Sequence, residues 1–414
     1  MRIVMLAVFL LAAWPAAAVP LALQRGVGVH EWLNWSPLAA DGSYRWPPYQ
    51  SVDEWRSRYR DLADWPAGDE FVRIRSLGFD FVRLTVDPGP LLATDGEKRQ
   101  EALDVLAASV NRVAASGLKV VLNLHIVPQV PAYGGDAIIE QRADSASVAR
   151  YVAMTADVAR MLVPLGTDRV AFEPFNEPQH YPCEGRGDGQ WQEIMTSAMS
   201  AIRAVSAELT VVATGACGGD VSGLVDLDPD FDDSNLYFSF HMYEPHVFTH
   251  QRPEDEGGFA SSLPWPASSG SAGATSEMLR AHMAAAGVDE AEQERTVLRL
   301  GPVISEYFTE GWGESQVAAR IGEALDWAAR HDIPASRLFM GEFGVIEMSD
   351  DGRMGAFAPD RLRYLEAVRL AAERHGIPWS VWEYANPWGM SVILPTGPAV
   401  PDTQMLRALG LQPD

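Results

Sequence analysis

The run Phe172-Glu173-Pro174-Phe175-Asn176-Glu177-Pro178 carries a short apolar stretch into a turn that ends on a carboxylate, and Gly341-Glu342-Phe343-Gly344 does the same far downstream. Each Glu stands where an α/β barrel exposes its reactive groups, at the C-terminal end of a strand. Two carboxylates delivered from separate elements can face each other across a cleft and flank a glycosidic bond. One then protonates the leaving oxygen while the other attacks the sugar carbon or activates water. Taken alone, either Glu also reads as a helix cap or as half of an ion pair with an Arg.

Outward from these two turns, apolar runs of strand length alternate with helical patterns, which is how a parallel sheet with crossover helices is written. The strands are expected at Gln24 to His30, Phe79 to Val86, Lys119 to His125, Arg169 to Asn176, Leu209 to Gly215, Leu236 to Tyr243, Arg337 to Phe343 and Pro378 to Trp382. Helical spacing is clearest at Glu97 to Ala115, Ser145 to Leu162, Gln190 to Ala207, Glu314 to Arg330, Pro359 to Arg374 and Asp402 to Leu409, and the fifth helix, after Cys217, is poorly marked. Eight strands in this alternation predict a (β/α)8 barrel. The segment from Glu244 to about Gly313 is too long for a βα loop, with an extra helix expected at Ser276 to Ala286. Its place after strand 6 puts it on the face where it can shape or cover the cleft.

Asn-Glu-Pro closing one strand and Gly-Glu-Phe-Gly closing another resemble glycoside hydrolase family 5, the cellulase family of retaining (β/α)8 barrels. Arg83 in FVRLTV, His125 in VVLNLH, Asn176 and Glu177, His241 and Tyr243 in FSFHMYEP, Glu342 in MGEFG and Trp382 in SVWEYANPWG follow the order of that family's active-site residues. Eight positions in register over roughly 300 residues carry far more weight than either glutamate motif alone. The resemblance implies Glu177 as acid/base, Glu342 as nucleophile and Asn176 as donor to the sugar 2-hydroxyl. It also sets His125 on the glycone side, His241 near Glu177 and Trp382 as a platform for a sugar ring. Physical chemistry asks the same division of labour: the acid must keep a proton near neutral pH, and the nucleophile needs donors or a cation beside it, for which Arg83 and Tyr243 are the candidates. Glu173, four residues before Glu177, is expected to point into the barrel beneath the catalytic layer as a structural carboxylate, with Arg83 as its partner. Trp32, Trp35, Trp46, Trp265 and Trp388 extend the aromatic set. His30 stands where many members of the family have Asn, a departure that bears on subsite preference and leaves the catalytic residues intact.

Other barrel chemistries fit less well. Strand 1 offers the single His30 where metal-dependent amidohydrolase barrels use an H-x-H pair, so no metal is expected. Lys98 and Lys119 are the only lysines, and Lys119 opens strand 3 at the end away from the site, which argues against Schiff-base chemistry. No cofactor is implied. The expected activity is a retaining endo-β-1,4-glucanase, with β-mannanase or β-1,3-glucanase action on the same residues as alternatives and a non-catalytic carbohydrate-binding barrel as a rival of another class.

Met1 to Ala18 reads as a secretory signal, with Arg2, an apolar core and Ala16-Ala17-Ala18 as the cleavage site. Residues 19–414 are then read as one catalytic domain, secreted or periplasmic and monomeric, with no membrane contact after cleavage. The roughly 395 residues that remain exceed the ~250 of a bare barrel, yet no linker to a second module and no internal repeat is visible. A hydrophobic fraction of 47% suffices for a full core, and a net charge of -24 argues against nucleic acid and anionic membranes while leaving a neutral polysaccharide acceptable. The two cysteines, Cys183 and Cys217, follow neighbouring strands, so an oxidising compartment can join them; the alternative is two buried thiols.

Overall fold

The computed structural model describes residues 19–58, 60–180, 189–394 and 397–412. Eight parallel strands close a barrel: β1 (Arg25–Leu33), β2 (Phe81–Val86), β3 (Lys119–Leu124), β4 (Val170–Glu173), β5 (Thr210–Thr214), β6 (Leu236–His241), β7 (Leu338–Glu342) and β8 (Trp379–Val381). β1 pairs with both β2 and β8, which completes the circle. The helices that matter below are α1 (Glu70–Ser76), α2 (Gly96–Ala115), α3 (Ala146–Leu162), α4 (Gln190–Arg203), α5 (Val221–Asp226), α6 (Ala272–Ala285), α7 (Glu290–Glu310), α8 (Glu314–Arg330), α9 (Ala358–Glu373) and α10 (Thr403–Ala408), with shorter helical turns between them.

Side chains two apart on a strand share a face, and the inward face grades from apolar to polar along the barrel. At the bottom, Phe81, Val121, Ala171, Val212, Tyr237 and Phe339 form a buried layer closed from below by Leu21 and Leu23. Two residues higher the same strands offer Arg83, Asn123, Glu173, Thr214 and Ser239, all buried. The outward face is apolar, and Val82, Leu84, Val86, Val120, Leu122 and Leu124 pack in the main core. The sheet is thus greasy outside, plugged below and polar at its mouth, the layering that lets a barrel hold ionisable groups at one end.

The expected strands are all present, with ends displaced by a few residues. β1 runs on to Leu33, whereas β4 stops at Glu173 because Pro174 has no N–H for the ladder. Asn176 and Glu177 therefore stand on the turn, and His125, Tyr243 and Trp382 lie just past their strands. The weakly marked fifth helix is α5, six residues long, packed so closely that a Cβ on Gly223 would lie 1.9 Å from the Ala216 carbonyl oxygen. The excursion after β6 holds two long helices where one was expected, α6 and α7, and Ala260–Ser261 within it pairs in parallel with Met354–Gly355. Trp265 anchors the excursion, 4.9 Å from Tyr364 of α9 and 1% exposed.

Candidate active site

Arg83 organises the mouth of the barrel. Its Nε and Nη2 donate to the two oxygens of Glu173 at 2.6 and 3.1 Å, Nη2 also donates to Asn176 Oδ1 at 2.8 Å, and Nη1 donates to Glu342 Oε1 at 2.6 Å. A guanidinium is the fitting group here, since it spreads five donors in a plane and cannot shed its charge. Glu173 thus offsets Arg83 from below, and Arg83 spans the barrel from the β4 turn to the end of β7.

Glu342 reaches the cleft through an irregularity. Along β7 the inward side chain would be at Gly341, where a Cβ would come within 2.9 Å of Ser239 Oγ and 3.0 Å of His241 Nε2. The β6–β7 register shifts between Phe240 and His241, so that His241 pairs with Glu342. A one-residue slip moves a side chain to the opposite face of a strand, and Glu342 turns inward beside His241. There its Oε2 accepts from the Tyr243 hydroxyl at 2.9 Å. Glu177 lies opposite, at a backbone φ of 39° in the left-handed region that non-glycine residues rarely occupy. Its Oε1 is 2.7 Å from His241 Nδ1, which is also 3.6 Å from Glu342 Oε2. One oxygen of Glu177 and one of Glu342 lie within 4.8 Å of each other.

These groups share protons. Burial pushes the Glu342 carboxyl above the ordinary carboxylate range, against the pull of His241 and Arg83. Burial acts the same way on Glu177, but the hydrogen bond and charge of His241 outweigh it and hold that carboxyl below the range. His241 is likewise penalised by burial, and Glu342 and Glu177 nevertheless raise it above the usual imidazole value. Both directions favour a proton on His241, one hydrogen bond from Glu177. Burial and the charges of His30, Arg83 and His241 keep His125 neutral, and burial drives the Tyr243 hydroxyl up, so that it stays a donor. Glu177, His241 and Glu342 lie close enough to ligate an ion, but the Arg83 charge 2.6 Å from Glu342 opposes a cation there.

The cleft holds about 640 Å3 and is lined by His125, Glu177, Tyr243, Glu342 and Trp382 among the residues singled out from sequence. The His125 and Trp382 rings lie 5.7 Å apart and nearly parallel, and Asn176 Nδ2 is 3.4 Å from His125 Nε2. His30 is buried behind them, 4.6 Å from the ring of His125 and 4.8 Å from that of Trp382. Trp388 is half exposed with the Arg252 guanidinium on its ring at 4.7 Å. Trp32 and Trp265 belong to the core instead, Trp46 bonds Glu101 beneath Lys98, and Trp35 packs between His30 and Arg58. Gln179, Asp220, Ser222, His246, His250 and Met390 also line the cleft and were not singled out. The signal for two of them was in plain view, since His246 and His250 belong to EPHVFTHQ directly after the β6 His and Tyr. Cys217 also lines the cleft and is not a free thiol, whereas Cys183 lies outside the described residues, as does the expected signal at 1–18.

Residues 48–387 match the model of the cellulase family, glycosyl hydrolase family 5. The chain belongs to glycosyl hydrolase family 5. It is 26% identical over 252 residues to endoglucanase 3 of Fibrobacter succinogenes, a match covering 58% of this chain and 34% of that protein. Endoglucanase C of Acetivibrio thermocellus is 23% identical over 316 residues, covering 75% of this chain and 81% of the relative. The chain thus spans about a third of the first relative's length and about four-fifths of the second's. In fold it is similar to Thermotoga maritima Cel5A solved with mannotriose, at a TM-score of 0.60 and 18% identity over 94% of this chain and 97% of that one. The family's barrel is the fold described above. Among the described residues, no helix is long and apolar enough to cross a membrane.

Proposed function

We propose that the protein is a retaining endo-β-1,4-glucanase acting by double displacement, with Glu342 as nucleophile and Glu177 as acid/base. The observation that carries this reading is the approach of the two carboxylates within 4.8 Å. Retaining pairs stand roughly 5 to 5.5 Å apart, whereas inverting pairs leave roughly 6.5 to 9.5 Å for an attacking water. Family membership and the endoglucanase relatives support the substrate class.

In this mechanism Arg83 and Tyr243 hold the Glu342 carboxylate by two hydrogen bonds and aim it at the sugar carbon. A bound glycan covers Glu177, whose side chain is 36% exposed, and loss of water raises its affinity for a proton. The proton on His241 Nδ1 then passes along the 2.7 Å bond to Glu177 Oε1, and from there to the leaving oxygen. The C–O bond breaks as Glu342 bonds to carbon. In the second half Glu177 takes a proton from the water that displaces Glu342 and passes it back to His241 Nδ1, which restores the starting charges. Asn176, fixed by Arg83, is set to donate to the 2-hydroxyl as positive charge builds on the ring. Met1–Ala18 acts as an export signal, and the exported chain works as a monomer on a neutral glycan.

A panel of soluble β-1,4-glucan, β-1,4-mannan and β-1,3-glucan tests the substrate, with reducing ends and viscosity followed together. The expected outcome is fastest release from the β-1,4-glucan with an early fall in viscosity. Faster release from mannan or β-1,3-glucan, or a viscosity that holds while reducing ends accumulate, contradicts it.

A further inference from the structure

The order of strands round the barrel gives the cleft two ends. Between β4, which leads into Glu177, and β7, which ends on Glu342, lie β5 and β6 on one side and β8, β1, β2 and β3 on the other. A glycan that passes between the two carboxylates therefore lays one half over each side. His125 after β3 and Trp382 after β8 line the wider side, which takes the sugar that Glu342 attacks. The half that departs falls over β5 and β6. There the turn after β5 packs on Glu177, since a Cβ on Gly219 would lie 3.5 Å from Glu177 Cγ. Asp220 and Ser222, directly beyond it, line the cleft.

These two side chains are fixed from behind. Asp220 Oδ1 caps α5 by accepting from the Gly223 N–H at 2.9 Å. Arg320 reaches in from α8, where its Nη2 donates to Ser222 Oγ at 2.8 Å and stands 3.5 Å from Asp220 Oδ2, while its Nε donates to Glu244 Oε1 at 2.8 Å on the turn after β6. Both oxygens thus meet one guanidinium nitrogen and lie side by side. Ser222 Oγ accepts from Arg320 and keeps its own proton to give, whereas Asp220 Oδ2, at the limit of hydrogen-bond reach from Arg320, keeps lone pairs to accept. An acceptor beside a donor matches two neighbouring sugar hydroxyls. We propose that Asp220 and Ser222 bind the departing sugar, Asp220 accepting from one hydroxyl and Ser222 donating to the next. The inference rests on the reading of Glu177 and Glu342 as a glycan-cleaving pair and adds the side chains that determine what may leave.

The test compares kcat/KM for cellopentaose, whose leaving group is a sugar, with kcat/KM for 4-nitrophenyl β-cellobioside, whose leaving group carries no sugar hydroxyl. Contacts to the departing sugar act only on the first substrate, so the ratio of the two constants reads them and cancels any loss of folded protein. Asp220→Asn keeps an oxygen for the α5 cap and replaces the free acceptor by a donor. It should lower the ratio roughly 10- to 100-fold, the loss expected for a hydrogen bond to a charged group. Ser222→Ala, which changes no charge, should lower it by about 3- to 10-fold. The alkaline limb of the cellopentaose profile should stay at the wild-type pH in both variants. An unchanged ratio in both variants overturns the proposal, and so does a fall in the ratio that comes with a displaced alkaline limb, because Asp220 would then act on the proton of Glu177 and not on the sugar. A wild-type protein that cleaves neither substrate would sink the reading of the cleft itself, and this assignment with it.

Discussion

Glu342 accepts from a permanent cation and a phenol, and Glu177 from a single imidazole, so the two carboxylates are unequal before any substrate arrives. That inequality supports the proposed roles, and it is testable by trapping. A 2-fluoro cellobioside with an activated leaving group should label the peptide that carries Gly341 to Gly344, as mass analysis would show. Glu177→Ala should lose natural glycan hydrolysis by roughly 1000-fold yet still cleave activated aryl glycosides, with azide restoring turnover; a label on Glu177 would exchange the roles. His241 makes a separate prediction about pH. Its proton is held above the usual imidazole range by Glu342 and Glu177 against burial, so the acid form of the site persists above pH 6.5 and is lost as pH rises through that raised value. In His241→Asn the proton must sit on Glu177 alone. The alkaline limb of kcat/KM should then move to lower pH and kcat should fall about 100-fold. An alkaline limb left in place would show that His241 does not hold the proton.

At the scale of elements, most of the barrel could be read from the chain because its strands alternate inner and outer residues in step. Phe81, Arg83 and Thr85 point one way and Val82, Leu84 and Val86 the other, so sequence placed Arg83 inside the barrel next to Glu173. Sequence could not show the slip that turns Glu342 inward, because it arises from pairing with β6 and leaves no mark in the residues of β7 themselves. α7 went unread for a different reason. It buries only Thr296, Ile304 and Tyr307, leaves Leu298 79% exposed and carries Pro302, so its apolar stripe is too thin to stand out. α5 was faint because it is short and uses Gly223 for close approach to the β5 turn. Gly223→Ala should accordingly cost about 2 kcal/mol or more, read as a lower urea midpoint. Gly273→Ala, in open space on α6, should leave the midpoint unchanged or slightly higher. The turn after β5 also carries Cys217, and we propose that Cys183 is its partner. Thiol titration in denaturant without reductant should find no free thiol; two reactive thiols would remove that tether from the account.

For the whole molecule, the barrel sorts its chemistry by height: an apolar plug below, the Arg83–Glu173 pair in the middle, and the proton-sharing trio of Glu177, His241 and Glu342 at the mouth. An acidic surface surrounds a cleft whose own charges are nearly matched, as suits a neutral glycan that binds by stacking and hydrogen bonds. The excursion after β6 leaves this sorting intact. Everything proposed for the cleft depends on the short gap between the two carboxylates, since a water-sized gap would make the same residues an inverting pair. NMR of the first product formed from a soluble β-1,4-glucan reads that difference directly, before mutarotation. The account predicts that the β-anomer appears first and the α-anomer grows in only as the two equilibrate, whereas initial release of the α-anomer would contradict it.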